Sequence, residues 1–259
     1  GTQTYTLGHE STHPPGYVSV AGVLNQQLAT AEIAALHTTL AGSTGSSSVS
    51  GCSACAAGYS TSAVGQYTCD VCAAGYTRWV DTLPSVISLL DARDAANAGI
   101  DPTSAAIPDL SGTAGMTWTR SLGSTSFATV DGVPCWDLNA GSLATSTRTT
   151  LGDEYTLFYY WKPRLSDTAP SGWRSLHKGW DPVSNADRDH WAQVGPSNKN
   201  LGMYSNRNGG MRDSGYDITI EWQTLIVTGV ASSAGSYMGT STFYVNGVEV
   251  GTADRVGSG

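Results

Sequence analysis

Residues 241–251 read STFYVNGVEVG, and this stretch decides the class of fold. Asn246 and Gly247 stand between two short runs in which apolar and polar residues alternate. An Asn-Gly pair favours a two-residue hairpin turn, because both residues tolerate the positive φ angles that the turn requires. Alternation with a period of two is typical of strands that bury one face. The stretch therefore predicts two antiparallel strands joined by a tight turn.

Similar short runs recur from Gly115 onward, separated by Gly, Asn and Ser. They are residues 116–120 (MTWTR), 127–130 (FATV), 134–138 (PCWDL), 155–163 (YTLFYYWKP), 172–180 (GWRSLHKGW), 190–195 (HWAQVG), 200–205 (NLGMYS) and 217–230 (DITIEWQTLIVTGV). Strands at this spacing with such turns are typical of sandwiches built from two sheets. The predicted fold class is all-β, a two-sheet sandwich of the jelly-roll type.

The first half of the chain adds strands and a short helix. Residues 16–25 (GYVSVAGVLN) alternate like a half-buried strand, and residues 84–95 (PSVISLLDARDA) suggest a strand followed by a turn. Thr30 is a suitable N-cap, and Glu32 lies in the first turn, where a negative charge favours the helix dipole. We expect a helix of about two turns here, followed by a linker at residues 41–50 (AGSTGSSSVS).

Composition narrows the range of partners. The chain has 259 residues, of which 13% are charged, against about 25% in typical globular domains. Its formal net charge is −8, which disfavours nucleic acid and anionic membrane surfaces as partners. Without a long apolar run, we expect no membrane insertion. Eight Trp and twelve Tyr supply burial potential. The low charge and the abundance of Gly, Ser and Thr favour an extracellular or cell-surface location.

A cysteine repeat lies between the two β-rich parts. Cys52-Ser-Ala-Cys55-Ala-Ala-Gly-Tyr recurs as Cys69-Asp-Val-Cys72-Ala-Ala-Gly-Tyr. Four thiolates at this spacing can bind zinc, or they can form two disulfides that hold together a module with little core. The composition favours an oxidising compartment and hence disulfides. Cys135 lies outside this repeat. It could be a buried free thiol, or it could form an intermolecular disulfide.

The order of these segments resembles a known superfamily. Residues 155–259 are similar to the laminin-G/concanavalin A-like lectin fold, residues 88–112 resemble the opening of its bacterial-type branch, and residues 1–40 resemble its closing strands and helix. The cysteine block resembles the ephrin-receptor-like, EGF-like modules of secreted and cell-surface proteins. That resemblance implies the disulfides Cys52–Cys69 and Cys55–Cys72.

The resemblance implies a divided domain. Residues 1–40 would be the C-terminal strands and helix of a laminin-G-like sandwich, residues 41–80 the linker and the cysteine-rich module, and residues 81–259 the body of a sandwich that lacks its last strands. The closing strands could come from the chain itself, from an adjacent repeat or from another copy. We therefore expect a non-enzymatic structural protein, a repeat or subunit of a filament or surface appendage assembled head-to-tail by strand complementation.

Catalytic signatures are weak. Residues 9–13 (HESTH) match the HExxH zinc-protease pattern, but that pattern needs a helix, and Pro14 and Pro15 follow directly. A chance match in a loop is the better interpretation. Glycosidases need two carboxylates that face one cleft, whereas Asp153 and Glu154 are adjacent and face opposite ways on a strand. We expect no catalytic residues and no cofactor.

The alternative hypothesis is a carbohydrate-binding lectin or adhesion module. Its candidate ligand-binding residues are Trp180, Asp181, Asp187 and Asp189. Asp181, Asp187, Asp189 and Asp213 lie in polar stretches with Asn185, Asn206 and Asn208, and we expect these stretches to be loops. Such loops often hold Ca²⁺ in related domains, although surface turns rich in Asp and Asn are usually only turns. Trp180 could also join Trp173 and Trp191 in an aromatic platform for a sugar ring, or all three could belong to the core.

Overall fold

The computed structural model describes residues 4–8, 16–42, 59–60, 70–71, 83, 85–94, 96–139, 141–147, 151–164, 173–181, 186–195, 199–204, 210–233 and 238–255. Within these residues the structure contains one helix, α1 (Thr30–Gly42), which is neither long nor apolar enough to cross a membrane. The strands, in chain order, are β1 (Thr4–Leu7), β2 (Gly16–Leu24), β3 (Tyr59–Ser60), β4 (Asp70–Val71), β5 (Val86–Asp91), β6 (Ile107–Pro108), β7 (Thr117–Leu122), β8 (Ser126–Val130), β9 (Val133–Asp137), β10 (Ser142–Thr145), β11 (Glu154–Pro163), β12 (Arg174–Asp181), β13 (Ala186–Val194), β14 (Asn200–Tyr204), β15 (Met211–Asp217), β16 (Gln223–Ala231), β17 (Met238–Val245) and β18 (Val248–Arg255).

Two large antiparallel sheets make up the fold. Sheet I has the strand order β15-β14-β13-β12-β1-β10-β7-β6, and sheet II has the order β18-β17-β16-β11-β2-β9-β8, with β5 also paired to β2. One apolar cluster joins the sheets; it includes Leu143 and Trp191 from sheet I and Leu157 and Phe243 from sheet II. The prediction of an all-β protein with two sheets and a helix is confirmed, and the arrangement is that of a β-sandwich.

Helix α1 covers the outer face of sheet II. Ile33, Leu36 and Leu40 are buried in a second apolar cluster, together with Phe158 of β11 and Ile226 of β16. The spacing of three and four residues places the three helical side chains on one face, as expected for a helix that packs on a sheet. Sheet II is therefore buried on both sides where α1 lies.

The helix is longer than expected and is capped differently. Ala29 O accepts the first helical hydrogen bond, from Ile33 N (2.9 Å), so Ala29 rather than Thr30 is the N-cap residue. Glu32 Oε2 accepts a hydrogen bond from Ala29 N at 2.7 Å. This is the returning half of a capping box, in which a Glu at the third helical position satisfies the N-cap amide. The prediction of Thr30 as N-cap was wrong, because the Glu32 side chain reaches back to that end.

The strands from the start of the chain lie in the interior of both sheets. We call residues 4–42 the N-terminal segment. Its strand β1 lies between β12 and β10 in sheet I. Its strand β2 pairs along one edge with β11 and along the other with β9 and then β5. The closing strands are thus paired with strands of the same chain.

Residues 43–85 connect α1 to β5 and contain the cysteine repeat. Strands β3 and β4 pair antiparallel here, with Tyr59 opposite Val71 and Ser60 opposite Asp70. Cys52, Cys55, Cys69 and Cys72 lie outside the described residues, and so does the HESTH stretch at residues 9–13. The predicted disulfides and the expected loop conformation of HESTH therefore stay predictions.

Candidate functional site

The hairpin formed by β12 and β13 brings together the four predicted ligand-binding residues. Trp180 of β12 lies opposite Asp187 of β13, and Asp181 lies opposite Ala186. Asp189 follows two residues further along β13. These positions come from the backbone, since the four side chains fall outside the described part of the structure. All four residues lie near the turn of one hairpin, as a common binding site requires.

The N-terminal segment borders this hairpin. Thr4 of β1 lies opposite Trp180, on the edge of β12 that faces away from β13. Trp180 therefore stands between Thr4 on one side and Asp187 on the other. Any ligand site at this end of the hairpin would share an edge with β1.

The tryptophans that could form an aromatic platform separate in the structure. Trp191 is fully buried in the core between the sheets. Trp173, just before β12, is 41% exposed, and its ring lies 5.8 Å from that of Tyr204, centroid to centroid. Trp191 is thus a core residue, whereas Trp173 and Tyr204 form an aromatic surface on sheet I.

A polar cluster lies near Tyr204 on the same strands. Ser175 Oγ and His190 Nδ1 are 2.5 Å apart, and Gln193 Nε2 donates to Ser175 Oγ at 3.0 Å. A serine beside a histidine can form a nucleophilic pair. Here Ser175, His190 and Gln193 are all buried. A substrate could not reach the Ser175 hydroxyl in this conformation, so the contacts serve to join β12 to β13.

A second histidine lies between the sheets. His177 of β12 is 1% exposed, and its ring centroid lies 5.4 Å from that of Tyr5, 5.9 Å from Tyr159 and 5.3 Å from Trp191. We call these four residues the His177 cluster. Burial lowers the pKa of His177 from 6.5 to about 3. The imidazole is therefore neutral at physiological pH.

Hydrogen bonding in the His177 cluster is incomplete. Neither ring nitrogen of His177 has a hydrogen-bond partner within the part of the chain that the structure describes, and the same holds for the Tyr159 hydroxyl and Trp191 Nε1. Burial also raises the pKa of Tyr159 well above its usual value. Buried polar atoms without partners are costly, so each such atom in a folded protein needs an explanation.

Sequence reasoning did not single out His177. The pairing of β12 with β13 shifts register on both sides of His177, between Ser175 and His177 and between His177 and Lys178. Such bulges turn side chains away from simple alternation. The only signal in the sequence is a histidine inside a strand-like run, which does not say which way its side chain points.

Among the candidate calcium ligands, Asp213 of β15 has a described side chain. Its Oδ2 atom accepts a hydrogen bond from Asn200 Nδ2 and its Oδ1 atom accepts one from Gly215 N, each at 2.6 Å. Both carboxylate oxygens of Asp213 therefore bond to residues of β14 and β15. No group of three His, Cys, Asp or Glu side chains within the described ranges is placed to hold a metal ion.

Cys135 is buried in β9 and is not disulfide-bonded. Its thiol donates to Ala128 O of β8 at 3.6 Å. Burial and the nearby Asp137 carboxylate raise the pKa of Cys135 to about 12. Of the two predicted alternatives the structure therefore favours the buried thiol over an intermolecular disulfide.

Comparisons of this chain with protein-family models, with curated proteins and with solved structures find no match. Function has to be inferred from the residues and geometry of the chain itself.

Proposed function

We propose that this protein is a non-enzymatic, extracellular structural protein with a concanavalin A-like jelly-roll sandwich. In this proposal, copies assemble head-to-tail when the N-terminal segment of one copy completes the sandwich of the next. The observation that carries the proposal is the position of β1 and β2, each in the interior of a different sheet. Low charge and the cysteine repeat support the extracellular setting.

Both sheets depend on this segment. Without β1, the strands β12 and β10 would each lose a partner, and sheet I would divide into two parts. Without β2, β11 would be separated from β9 and β5 in the same way. Open strand edges are templates for pairing with another chain, and strand donation is an established way to fill them.

The segment also supplies much of the core. About a quarter of the buried apolar side chains in the described residues come from it; they are Tyr5, Leu7, Val18, Val20, Ala21, Val23, Leu24, Leu28, Ile33, Leu36 and Leu40. Burying a side chain of this size stabilises by roughly 1.5–3 kcal/mol. A body without the segment would expose the apolar partners of these residues and would aggregate.

Polar contacts fix the segment at defined points. Arg164 Nη2 donates to Asp137 Oδ2 at 2.8 Å and to the Tyr17 hydroxyl of β2, and the guanidinium carbon lies 4.6 Å from the centre of the Tyr17 ring. At the other end Arg93 Nη1 donates to Leu40 O at 2.9 Å. All these contacts are non-covalent, so the segment of a neighbouring copy could make the same ones.

The link between α1 and β5 allows the N-terminal segment to come from the same chain or from a neighbouring copy. The structure shows the segment in its own chain, with the last turn of α1 near Arg93 and with Asn25 N donating to Ser85 O at 3.0 Å. Residues 43–85 link α1 to β5, and a link of 43 residues is long enough to reach the sandwich of its own chain or that of a neighbouring copy. An exchange that passes each segment to the next copy does not close on itself and builds filaments.

Disulfide trapping in the full-length chain tests the source of the segment. Tyr17 of β2 and Lys162 of β11 are register partners, and both side chains are partly exposed. Cα atoms of such partners lie about 4.5–5.5 Å apart, within disulfide range. The double variant Tyr17→Cys/Lys162→Cys is oxidised in its assembled state and run on a non-reducing denaturing gel.

A ladder of covalent oligomers is the expected result. Dimers alone would mean reciprocal exchange, and monomers alone would mean closure within each chain; both outcomes contradict head-to-tail assembly. The matched control is Glu154→Cys/Val230→Cys, because β11 and β16 pair at these positions and both belong to the body. That variant should stay monomeric on the gel in every case.

The second candidate function is carbohydrate binding by a lectin-like adhesion module. The placement of Trp180, Asp181, Asp187 and Asp189 on one hairpin supports it. A glycan array probed with and without Ca²⁺ tests it. Binding that is lost in Trp180→Ala and in Asp187→Asn but kept in Trp173→Ala would support a site at the hairpin turn. If the folded protein bound no glycan on a broad array, that result would count against carbohydrate binding.

A further inference from the structure

His177 lies where the N-terminal segment meets the body of the sandwich. Its backbone is the register partner of Leu7 in β1. Its ring packs against Tyr5 of β1, Tyr159 of β11 and Trp191 of β13. Strand β1 thus covers one side of the imidazole, and departure of β1 would open the sheet beside His177.

We propose that protonation of His177 releases β1, so that mild acid opens the joint between the N-terminal segment and the body. The inference rests on the proposed function in one respect: if segments are exchanged between copies, the same proton uptake would loosen the filament. The release itself does not depend on which chain supplies the segment.

The closed state disfavours a charged imidazole. A proton from water that binds to Nδ1 or Nε2 would place a positive charge in the core, and neither nitrogen has a hydrogen-bond partner among the described residues. Burial lowers the pKa of His177 to about 3 in the closed state, whereas an exposed histidine titrates near 6.5. The open state therefore binds the proton more tightly. Opening becomes more favourable as the pH falls below 6.5 and levels off near pH 3.

The surrounding groups do not cancel this effect. The titratable groups that face His177 are Tyr5 from β1 and Tyr159 from β11; burial keeps Tyr159 neutral. Trp191 from β13 does not titrate. On β12 itself the basic side chains of Arg174 and Lys178 are buried. Burial lowers the pKa of His177, and among the described side chains no carboxylate contributes to the shift.

The other two described histidines provide the comparison. His37 of α1 bonds Thr224 Oγ1 through Nδ1 at 2.8 Å, and partial burial lowers its pKa, so it favours acid release in the same direction. His190 bonds Ser175 within the body. His37 is less buried than His177, and its contribution is therefore smaller.

Hydrogen exchange of the full-length protein tests the release. Protection factors, corrected for intrinsic exchange, are measured by mass spectrometry at pH 7.5, 6.5, 5.5 and 5.0. Peptides from β1 and β2 report opening, and a peptide from β16 (Gln223–Ala231) reports global unfolding. Three proteins are compared, the wild type, His177→Gln and the matched control His37→Gln.

We expect the protection of β1 and β2 in the wild type to fall by up to about thirtyfold between pH 7.5 and 5.0, as a single group with these two pKa values dictates. Protection in His177→Gln should be nearly independent of pH, and His37→Gln should follow the wild type. Flat protection of β1 in the wild type would overturn the inference. Equal protection of β1 and β16 at every pH would also overturn it, because β1 would then open only when the whole domain unfolds.

The wild-type measurement keeps the test informative even if His177→Gln does not fold. In that event His177→Phe, which fills the site without titrating, serves as the second variant. Failure of the two proposals can be told apart. Disulfide trapping reports which chain supplies the segment, whereas exchange reports whether acid opens it. If the disulfide forms only within each chain while the protection of β1 falls in acid, the filament proposal alone is refuted. If the gel shows a ladder of oligomers while the protection of β1 does not change with pH, the proposal of acid release alone is refuted.

Discussion

Replacing Gly22 by alanine tests the position of β2 on β11. Gly22 is the register partner of Phe158, and the Phe158 ring lies over it. A Cβ atom added to Gly22 would lie 2.6 Å from Phe158 Cε1 and 2.7 Å from Cε2, with Cζ closer still. The backbone of Gly22 does not have a positive φ angle, so alanine would suffer from this contact alone.

The expected cost follows from the packing. Phe158 is fully buried between β2 and α1, so its ring can move only by disturbing the apolar cluster under the helix. Overpacking by one methyl group in such a site costs about 1–3 kcal/mol. In a domain of this size that lowers Tm by roughly 2–4 °C for each kcal/mol. The change also weakens the attachment of the N-terminal segment, because β2 belongs to it.

A double-mutant cycle measures this contact. Urea unfolding gives the free energy of unfolding for the wild type, Gly22→Ala, Phe158→Leu and the double variant. The smaller leucine leaves room for the new methyl group, so the double variant should be more stable than the sum of the single effects predicts, by about 1–2 kcal/mol.

The contact between a second glycine and an aromatic ring supplies the control, through its aromatic residue. Gly229 of β16 lies under Tyr155 of β11, and a Cβ atom there would meet the Tyr155 ring and lie 2.5 Å from its hydroxyl. Gly22→Ala combined with Tyr155→Phe should be additive, because the two sites do not touch. A neutral Gly22→Ala, or a cycle without coupling to Phe158, would show that β2 does not occupy this register.

Three further predictions concern the body of the sandwich. Below pH 6.5 the free energy of unfolding should fall by up to about 1.4 kcal/mol per pH unit, because His177 takes up a proton in the unfolded chain but not in the folded chain until about pH 3. Urea titrations of the wild type and of His177→Gln at pH 7.5 and 5.0 measure this pH dependence. The same change in unfolding free energy between the two pH values in both proteins would contradict the prediction. Asp109→Asn should destabilise by about 2–4 kcal/mol. Asp109 Oδ2 accepts from Trp118 Nε1 (2.8 Å), Ser88 Oγ and Leu89 N, while Oδ1 accepts from Ser111 N, and an amide places a donor where one of these oxygens accepts. Thermal melts test this, and an unchanged Tm would argue against it. Cys135 should resist iodoacetamide at pH 8 in the native protein and react in urea, because its raised pKa of about 12 leaves almost no thiolate in the folded state. Mass spectrometry detects the label. Rapid labelling of the native protein would contradict the prediction and would mean that β9 opens.

Local signals in the sequence predicted local structure well. Asn246 and Gly247 have φ angles of 50° and 78°, as the predicted hairpin turn requires, and they join β17 to β18. The run at residues 155–163 became β11 almost residue for residue. Such features depend on neighbours in the sequence, so a single chain is enough to find them.

Features set by distant contacts were not predictable in the same way. Strand β15 (Met211–Asp217) is polar and half exposed, and it is a strand because β14 pairs with it at the edge of sheet I. Residues 218–222 were expected to extend a strand, but β16 begins only at Gln223. For the candidate site, Asp181, Asp187 and Asp189 were expected in polar loops, but they lie on β12 and β13. The burial of His177 depends on bulges and on three strands from elsewhere in the chain.

The interior position of β1 has a consequence for synthesis on the ribosome. Leu7 pairs with Leu143 of β10 and with His177 of β12, so β1 must wait for about 136 further residues before its first partner strand exists and for about 170 before both exist. At about 5–20 residues per second this takes roughly 10–30 s. During that time the first strands made have no sheet to join, and a nearby nascent chain offers them the same edge. We expect the yield of correctly paired protein to depend on translation speed and on the spacing of ribosomes along the message.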